Sequence, residues 1–493
     1  MNSELLEKAR TFEKESLSRI SEEERPAFHL TGGCGWINDP NGLSYYKGEY
    51  HLFYQYHPYS NEWGPMHWGH AKSKDMLTWE RIPAAMAPDH SYDDFGCFSG
   101  SALELADGRH LLLYTGVQTI PDTGAGESCR QTQCLAFGDG VNYEKYEGNP
   151  VIQPETLPAG SSTVDFRDPK IWQEEDGMFY AVVAGMKEDG NGQIVLYKSA
   201  DAMNWEFCGM IAESSRQLGG MWECPDLYEL DGKDALLVSP MELLPDGKDF
   251  HVGHGTLAMI GEFDKEKCQF HTETKQPIDW GIDFYAPQSI LTPDGRRVMI
   301  AWMQAWPNSK FVPKGVKYFG QMTVPREVHI RDGKLIQNPI RELENYRGEK
   351  VLHENVTVKD QELTLDGVEG RMLDMTVTVK NLSELKKLSI FVAANEEYHT
   401  EISYIPKKEL LHMDRSFSGY AYDIVHSRDI PAETKDGQLK LRFVMDRYSL
   451  EVFINDGEKA GTVVLFTPQE AQGIVFCAEG TVQLDVEKYE LRF

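Results

Sequence analysis

The sequence has no long apolar run and no regular spacing of its cysteines. No stretch approaches the roughly 20 apolar residues that a membrane-spanning helix needs, and the first ten residues, MNSELLEKAR, lack the apolar core of a signal peptide. The eight cysteines form no CxxC pair, so we expect free thiols in a reducing compartment. These absences predict a cytoplasmic protein without membrane partners.

Basic residues are scarce relative to acidic ones. Lysine and arginine number 49 against 78 aspartate and glutamate residues, which gives a formal net charge of −29. This charge repels phosphate backbones and anionic lipid surfaces, which argues against nucleic acid and membranes as partners. Two histidine pairs, His67 with His70 and His251 with His254, lack the glutamate of a zinc-protease helix. We therefore expect no metal and no organic cofactor.

Helical periodicity is nearly absent, and a repeat of about sixty residues takes its place. Asp75, Asp139, Asp201 and Asp264 follow one another at intervals of 64, 62 and 63 residues. Short apolar strands recur in step with them, each after a glycine turn, and make five units. A unit of this length can hold a four-stranded sheet, so the repeat predicts a five-bladed β-propeller. We assign the first three of these aspartates to structural turns.

A second set of polar side chains shares this period. The set has one member in each unit and consists of Asp39, Ser99, Asp168, Glu223 and Tyr285. Because the innermost strands of a propeller converge on its central channel, the sequence predicts one polar cluster around a single axis. The alternative is that the aspartates brace the blades through hydrogen bonds to turn amides.

The last third of the chain has a different pattern. Asn338 and Pro339 predict the N-cap and the first residue of a short helical linker. Later runs alternate apolar and polar residues with period two, which favours a β-sandwich over a closed barrel. Homodimerisation through this sandwich is a further expectation.

The predicted all-β protein has an N-terminal helical segment (1–27), a five-bladed β-propeller (28–335), a linker (336–350) and a β-sandwich (351–493).

Two of the clustered carboxylates suit glycosidic bond cleavage, which needs one group to attack and one to donate a proton. Asp39 lies in a proline-stiffened turn that can aim a nucleophile, although Asp-Pro-Asn-Gly is also ordinary turn chemistry. Glu223 has apolar sequence neighbours, which predict a carboxyl that stays protonated near neutral pH. Nearby aromatic residues either stack on a sugar or pack in the core, and they are Trp36, Trp63, Trp68, Trp222, Tyr285 and Trp302.

Three motifs resemble those of a known family. WINDPNG at residues 36–42, FRDP at 166–169 and WECPD at 222–226 look like the signature motifs of glycoside hydrolase family 32, the invertases and fructosidases. The resemblance covers nearly the whole chain after residue 25. It implies a five-bladed propeller joined to a β-sandwich, in agreement with the repeat. Further matching motifs are WGPMHWGH at 63–70, FSG at 98–100 and DFYAPQ at 283–288.

The resemblance also implies roles for individual residues. Asp39 is expected to be the nucleophile, Glu223 the general acid/base, and Asp168 a transition-state stabiliser that binds fructose hydroxyls. Arg167 is expected to balance the negative charge, and Trp302 is a further predicted sugar contact. The positions that match the fructose subsite of the family are Asn38, Gln55, Trp63, Phe98, Ser99 and Tyr285.

Within the family, the tract at residues 63–70 is most similar to intracellular bacterial sucrases and sucrose-6-phosphate hydrolases. The implied activity is that of a retaining β-fructofuranosidase, with sucrose, sucrose 6-phosphate or short fructo-oligosaccharides as substrate. A fructosyltransferase or fructanase of the same family is an alternative, as is a non-catalytic sugar-binding propeller. Phosphate recognition would need a cation near the channel mouth, where Lys310, Lys314 and Lys317 are either candidates or solvated loop charges.

Overall fold

The chain folds into a ring of sheets followed by a second sheet domain. The computed structural model describes residues 3–120, 129–312 and 315–493. Within these residues, five antiparallel sheets each supply the four strands of one blade, and they confirm the predicted propeller. In chain order the blade strands are Gly35–Tyr46, Glu49–His57, His67–Ser73 and Glu80–Met86 in blade 1; Gly96–Glu104, His110–Thr119, Cys129–Gly138 and Tyr143–Lys145 in blade 2; Ser161–Gln173, Phe179–Lys187, Gly192–Ser199 and Glu206–Glu213 in blade 3; Trp222–Leu230, Lys233–Pro240, Leu257–Asp264 and Gln269–Gln276 in blade 4; and Tyr285–Leu291, Arg297–Trp302, Arg326–Arg331 and Lys334–Pro339 in blade 5.

The first strand of each blade lines the centre of the ring. These strands contact one another in a closed circle, from blade 1 to blade 5 and back to blade 1. A short strand, Tyr318–Phe319, leaves blade 5 and pairs in parallel with Gly35 and Trp36 of blade 1. Segments from the start and the end of the propeller therefore share one sheet, which closes the ring through backbone hydrogen bonds.

The evenly spaced aspartates lie where the third strand of a blade turns into the fourth. Asp75 accepts hydrogen bonds from the amides two and three residues ahead, at 2.9 and 2.8 Å. Asp139 and Asp201 make the same pair of bonds, and Asp264 accepts from the amide three residues ahead. The predicted structural role of the first three is confirmed, because each carboxylate satisfies turn amides that would otherwise lack a partner.

The second domain is built around one long strand, Gly473–Leu491. Its residues 473–480 pair with Leu385–Ala394, and its residues 483–490 pair with Leu373–Lys380, so that one strand belongs to two sheets. The sheets enclose an apolar core, which is the predicted β-sandwich. The remaining strands are Arg347–Lys359, Glu362–Leu363, Thr400–Ile405, Leu410–Asp414, Ser427–Pro431, Leu439–Asp446, Ser449–Ile454 and Lys459–Val464.

Helical segments are short in the part of the chain that the structure describes. The N-terminal helix Glu4–Leu17 is capped by Ser3, whose hydroxyl accepts from the Leu6 amide at 3.2 Å. It packs on the outer strand of blade 1. No helix in the described residues is long and apolar enough to cross a membrane. The other helical segments are Glu22–Glu24, Pro154–Thr156, Arg216–Leu218, Trp306–Ser309, Arg341–Tyr346, Leu382–Glu384 and Pro406–Lys408.

The linker between the domains departs from the prediction. Pro339 does not start a helix, because it still pairs with Arg326 in blade 5. The Asn338 side chain donates to the Asp456 carbonyl at 2.9 Å instead of capping a helix. The helical segment begins later, as a 3₁₀ helix at Arg341–Tyr346. Contacts with the second domain therefore outweigh the local capping preference of asparagine.

A buried ionic network joins the two domains. Arg326 of blade 5 donates to Glu451 of the sandwich at 3.1 Å and to Asp279 at 2.9 Å. The ring nitrogens of His29 lie 2.9 Å from Asp446 and 3.0 Å from Glu451. All five side chains are fully buried. Burial lowers the pKa of His29, but the two carboxylates outweigh this effect and raise the pKa to about 9.

Arg326→Met is expected to lower the free energy of unfolding by about 3 to 5 kcal/mol, because Asp279 stays buried after its cation is lost and Glu451 keeps only His29 as a cation. Urea unfolding followed by tryptophan fluorescence measures the change. Lys440→Met is the matched control, since Lys440 pairs with Asp456 at the surface and its loss costs about 0 to 1 kcal/mol. Equal losses in the two variants would contradict a stabilising role for the network.

Candidate active site

The innermost strands are bulged at the polar positions. A bulge redirects a side chain and breaks the regular alternation of a strand, and bulges are common beside active sites. The segment around Asp39 is therefore part of a bulged strand, Gly35–Tyr46, and the prediction of a turn ahead of the strand was wrong. Register shifts between the first and second strands fall next to Asp39, Ser99, Asp168, Glu223 and Tyr285.

Asp39 is buried, with one carboxylate oxygen bound and the other free. Its Oδ2 accepts a hydrogen bond from the Ser99 hydroxyl at 2.7 Å, and the Cys224 thiol lies 3.5 Å from the same oxygen. Its Oδ1 is buried and has no hydrogen-bond partner among the described residues. Burial and the nearby charge of Glu223 raise the pKa of Asp39. Ser99 thus fixes the rotation of the carboxylate and leaves Oδ1 available for a ligand.

Asp168 is close to the same Cys224 thiol as Asp39. Its Oδ2 accepts from the Cys224 amide at 3.0 Å and lies 3.6 Å from the sulfur. Its own amide donates to the Thr115 hydroxyl at 2.9 Å, and its φ of 63° is in the left-handed region. Burial raises the pKa of Asp168 to about 7, while the Arg167 guanidinium opposes this shift and the other two carboxylates add to it.

Glu223 is held at both carboxylate oxygens. Its Oε1 accepts from Nε and Nη2 of Arg167 at 3.1 and 2.9 Å, and its Oε2 accepts from the Tyr285 hydroxyl at 2.6 Å. Arg167 also donates to Gln131 and Asp165, at 3.3 and 3.1 Å. These partners differ from the apolar surroundings predicted from the sequence neighbours. The reason is tertiary, since Arg167 comes from blade 3 and Tyr285 from blade 5.

Three of the aromatic residues near the motifs, Trp36, Tyr285 and Trp302, form a buried aromatic wall next to Cys224. Of the six that were predicted to stack on a sugar or pack in the core, Trp63 is 40% exposed and the others are at most 1% exposed. Trp302 packs against Trp36 and Trp306, with ring centroids 5.7 and 5.2 Å apart, so packing is favoured over the predicted sugar contact. Trp36 Nε1 donates to the Asn38 side chain at 2.7 Å, which fixes the neighbour of Asp39 in sequence.

The other predicted subsite residues lie close to Ser99. Gln55, on the second strand of blade 1, donates to the Cys97 carbonyl at 3.0 Å. Phe98 is partly exposed, and its ring centroid lies 6.0 Å from that of Trp63. These side chains combine amide groups with an aromatic surface, which suits a sugar because hydroxyls and ring faces are bound by different groups.

Sequence reasoning missed two side chains of the cluster. The Cys224 thiol lies between Asp39 and Asp168, and its only signal in the sequence is its position next to Glu223. Thr115 comes from the second strand of blade 2, and its hydroxyl lies 2.9 Å from the Gln133 side chain. Nothing in the sequence around this threonine marks it as part of the site.

The three lysines considered for phosphate recognition differ in their hydrogen-bond partners and exposure. Lys317 donates to the Arg19 carbonyl at 2.7 Å and to Glu24 at 3.0 Å, so it holds the N-terminal segment. Lys314 lies outside the described residues. Lys310 is exposed, directly after the helical turn Trp306–Ser309 that packs against the aromatic wall.

Asp168→Asn is expected to stabilise the protein at alkaline pH. The pKa of Asp168 is raised from 3.8 to about 7, so the folded state binds this proton more tightly than the unfolded chain. Burying the carboxyl thus costs little at low pH and most above its folded pKa. Asparagine carries no charge, so the excess of the variant over wild type in free energy of unfolding should be about 1 to 3 kcal/mol larger at about pH 8 than at about pH 4.5. Urea unfolding at both pH values measures the difference.

Glu13→Gln is the matched control for this substitution. Burial raises the pKa of Glu13 to about 7 as well, but this side chain is on the buried face of the N-terminal helix, where it accepts from the Ala84 amide at 3.1 Å. It should show the same pH-dependent gain in stability. A loss of stability in Asp168→Asn at alkaline pH would contradict the expected cost of burying the charge.

Comparisons with known proteins cover both domains of the chain. Residues 29–339 match the Glycosyl hydrolases family 32 N-terminal domain, and residues 342–492 match the Glycosyl hydrolases family 32 C terminal. A sucrose-6-phosphate hydrolase of Zymomonas mobilis is 34% identical over 97% of this chain and 94% of its own length. A raffinose invertase of Escherichia coli is 36% identical over 88% of this chain and 87% of its own length.

A solved structure extends the similarity to the whole fold. A β-fructofuranosidase of Bombyx mori, solved in complex with sucrose, is 33% identical, and its TM-score is 0.85 over 100% of this chain and 99% of that one. Both domains are therefore covered by the family and by the structural match. The chain belongs to glycosyl hydrolase family 32.

Proposed function

We propose that this glycoside hydrolase is a retaining β-fructofuranosidase that releases fructose from sucrose or sucrose 6-phosphate. The observation that carries the proposal is the hydrogen bonding of the two carboxylate oxygens of Asp39. Its Oδ2 is held by Ser99, while its Oδ1 is buried and unpaired among the described residues, beside a second carboxylate that is held at both oxygens. A buried carboxylate oxygen without a partner is costly unless a ligand uses it.

In the first step, Asp39 Oδ1 attacks C2 of the fructosyl unit. The bond between C2 and the glycosidic oxygen breaks as the new ester bond forms, and the proton of Glu223 moves to the departing oxygen. In the second step, water attacks C2, the ester bond breaks, and Glu223 takes the proton of the water. Two displacements at C2 retain the configuration.

The partners of Glu223 suit a side chain that changes protonation state. The Tyr285 hydroxyl can donate to the carboxylate and accept from the carboxylic acid, so it stays paired in both states. Arg167 stabilises the charged state from the other side. Asp168 is proposed to bind fructose hydroxyls, with bonds that strengthen as positive charge develops at C2, so that its loss should lower kcat more than it raises KM.

The choice of substrate rests on the relatives and on one cation. Two relatives are named for sucrose 6-phosphate and for raffinose, and a third was solved with sucrose, which supports a fructoside with a glucose-containing leaving group. For a phosphorylated substrate, Lys310 is the candidate partner, because Lys317 is engaged with the N-terminal segment. The cytoplasmic location and the homodimer remain predictions, which cell fractionation and light scattering would test.

The test measures glucose, glucose 6-phosphate and fructose released from sucrose, sucrose 6-phosphate and a short fructo-oligosaccharide. Fructose release from any of these, with the β-anomer formed first by NMR, is the expected result. Release of the α-anomer first would contradict the retaining mechanism, and no fructose from any of the three would contradict the function. Oligosaccharide products in place of fructose at high sucrose would instead identify a fructosyltransferase.

A further inference from the structure

One buried carboxylate of the propeller is held mainly by the second domain. Asp283 precedes Tyr285 by two residues and has no exposed surface. Its Oδ2 accepts from Nη1 of Arg415 at 2.6 Å and from the Val464 amide at 2.8 Å. Its own amide donates to the Thr462 carbonyl at 3.0 Å. The sandwich thus holds the segment that leads into the first strand of blade 5.

Asn308 completes a closed circuit of hydrogen bonds across the domain interface. Its Nδ2 donates to Asp283 Oδ1 at 2.9 Å, and its Oδ1 accepts from the Val425 amide at 3.1 Å. Nη2 of Arg415 donates to the Val425 carbonyl at 3.0 Å. The circuit takes two residues from each domain, and all its polar contacts depend on one another. Removing Arg415 would leave a buried carboxylate without its cation.

On one side, the circuit is connected through Asp283 and Tyr285 to Glu223, the acid/base candidate. The hydroxyl of Tyr285 donates to Glu223 at 2.6 Å, so the position of the strand that carries Tyr285 sets this contact. The next residue, Ala286, has a φ of 52°, which alanine adopts only at a cost. A strained strand keeps its conformation when outside contacts hold it, and Asp283 supplies such contacts directly before the strain.

On the other side, the circuit is connected through Asn308 to the aromatic wall next to Asp39, the proposed nucleophile. Asn308 lies in the helical turn that carries Trp306, whose ring centroid lies 6.1 Å from that of Trp36. Trp36 in turn donates to Asn38, the sequence neighbour of Asp39. Through this circuit the second domain supports both sides of the carboxylate pair, although none of its described carboxylates belongs to the cluster.

We propose that Arg415, in the second domain, is a positioning residue for Glu223. It neutralises Asp283, fixes the start of blade 5, and through Tyr285 orients the carboxyl that protonates the leaving group. The inference rests on the proposed acid/base role of Glu223. Proton transfer depends steeply on geometry, so a small displacement of Tyr285 should slow the step in which the leaving group is protonated.

The test compares two substrates with different needs for an acid. In Arg415→Met, kcat/KM for sucrose is expected to fall about 10- to 100-fold, because its leaving group needs a proton. With p-nitrophenyl β-fructofuranoside, whose leaving group departs as a stable anion, kcat/KM should change less than about threefold. Arg415→Lys keeps the charge and should recover part of the loss with sucrose.

Arg442→Met is the matched control within the same domain. Arg442 forms a two-bond pair with the buried Asp374, at 2.8 Å for each bond, and neither residue belongs to the circuit. This variant should lose stability but keep the ratio of kcat/KM values for the two substrates. Equal loss with both substrates in Arg415→Met would assign Arg415 a general structural role and overturn the proposal.

Hydrogen exchange gives a second readout that needs no substrate. Amides of residues 283–290 should exchange faster in Arg415→Met than in Arg442→Met, under conditions in which both variants remain folded. Unchanged exchange in this segment would overturn the proposal. If wild type cleaves neither fructoside, the proposed function fails, and exchange still decides whether Arg415 holds the segment.

Discussion

Asp39→Asn is expected to lower kcat for fructoside hydrolysis on the order of 10⁴- to 10⁶-fold, comparable to the loss of a nucleophile in other covalent enzymes. The amide has the size of the carboxylate, and its oxygen can still accept the hydrogen bond from Ser99. It cannot form the ester at C2, because the atom in the place of Oδ1 is a weak nucleophile. Glucose release from sucrose measures the loss, and unchanged circular dichroism shows that the fold is intact.

Asp75→Asn provides the control with the same chemical change in the same blade. Asp75 accepts hydrogen bonds from turn amides and from the Tyr346 hydroxyl, and it takes no part in the carboxylate cluster. Its loss should reduce stability and leave kcat within about threefold of wild type. Turnover by Asp39→Asn at a tenth of the wild-type rate or more would show that another group attacks the fructosyl unit.

The propeller could be predicted because its repeats contain aspartates that form hydrogen bonds to amides nearby in the sequence. Asp75, Asp139 and Asp201 each satisfy amides two and three residues ahead, so their spacing reports the length of a blade directly. Equivalent positions in the repeat then predict that distant carboxylates meet at one axis. Asp39 and Asp168 do meet there, each within 3.6 Å of the Cys224 thiol.

The shape of the inner strands could not be read from the same pattern. The Asp-Pro-Asn-Gly sequence at Asp39 predicts a turn, whereas the structure contains bulged inner strands, with positive φ at Asp168, Cys224 and Ala286. Such conformations persist because contacts between blades hold them, and a single sequence shows no such contacts. The surroundings of Glu223 were mispredicted for the same reason, since Arg167 lies 56 residues away in the chain.

The link between the domains depends on even longer separations. His29 meets Asp446 and Glu451 across 417 and 422 residues, and Arg326 meets Glu451 across 125. Spacing carries no information at such distances, so the sequence could predict two domains but not their buried ionic contact.

Glu223→Ala is expected to lower kcat for sucrose about 10²- to 10⁴-fold, which is the usual contribution of a general acid or base. The first step should recover with p-nitrophenyl β-fructofuranoside, whose leaving group needs no proton, so kcat/KM for this substrate should stay near the wild-type value. Arg167 loses one partner in the variant but keeps Gln131 and Asp165, so the loss should be chemical more than structural. Stopped-flow release of p-nitrophenol should show a burst, because the second step still lacks its base.

Azide separates the two roles of Glu223. A small anion can enter the space left by the side chain and attack C2 without a base, so azide should accelerate turnover of the aryl fructoside by Glu223→Ala and yield β-fructosyl azide. Wild type should show no such acceleration, since water already attacks with the help of the carboxylate. An α-azide would mean that azide attacks the substrate itself, with no ester to Asp39 between the two steps.

Full activity of Glu223→Ala on sucrose would transfer the acid/base role to another group. Retention with azide rescue would fix both carboxylates in their roles, because only an ester at Asp39 explains the configuration and only a missing base at Glu223 explains the rescue.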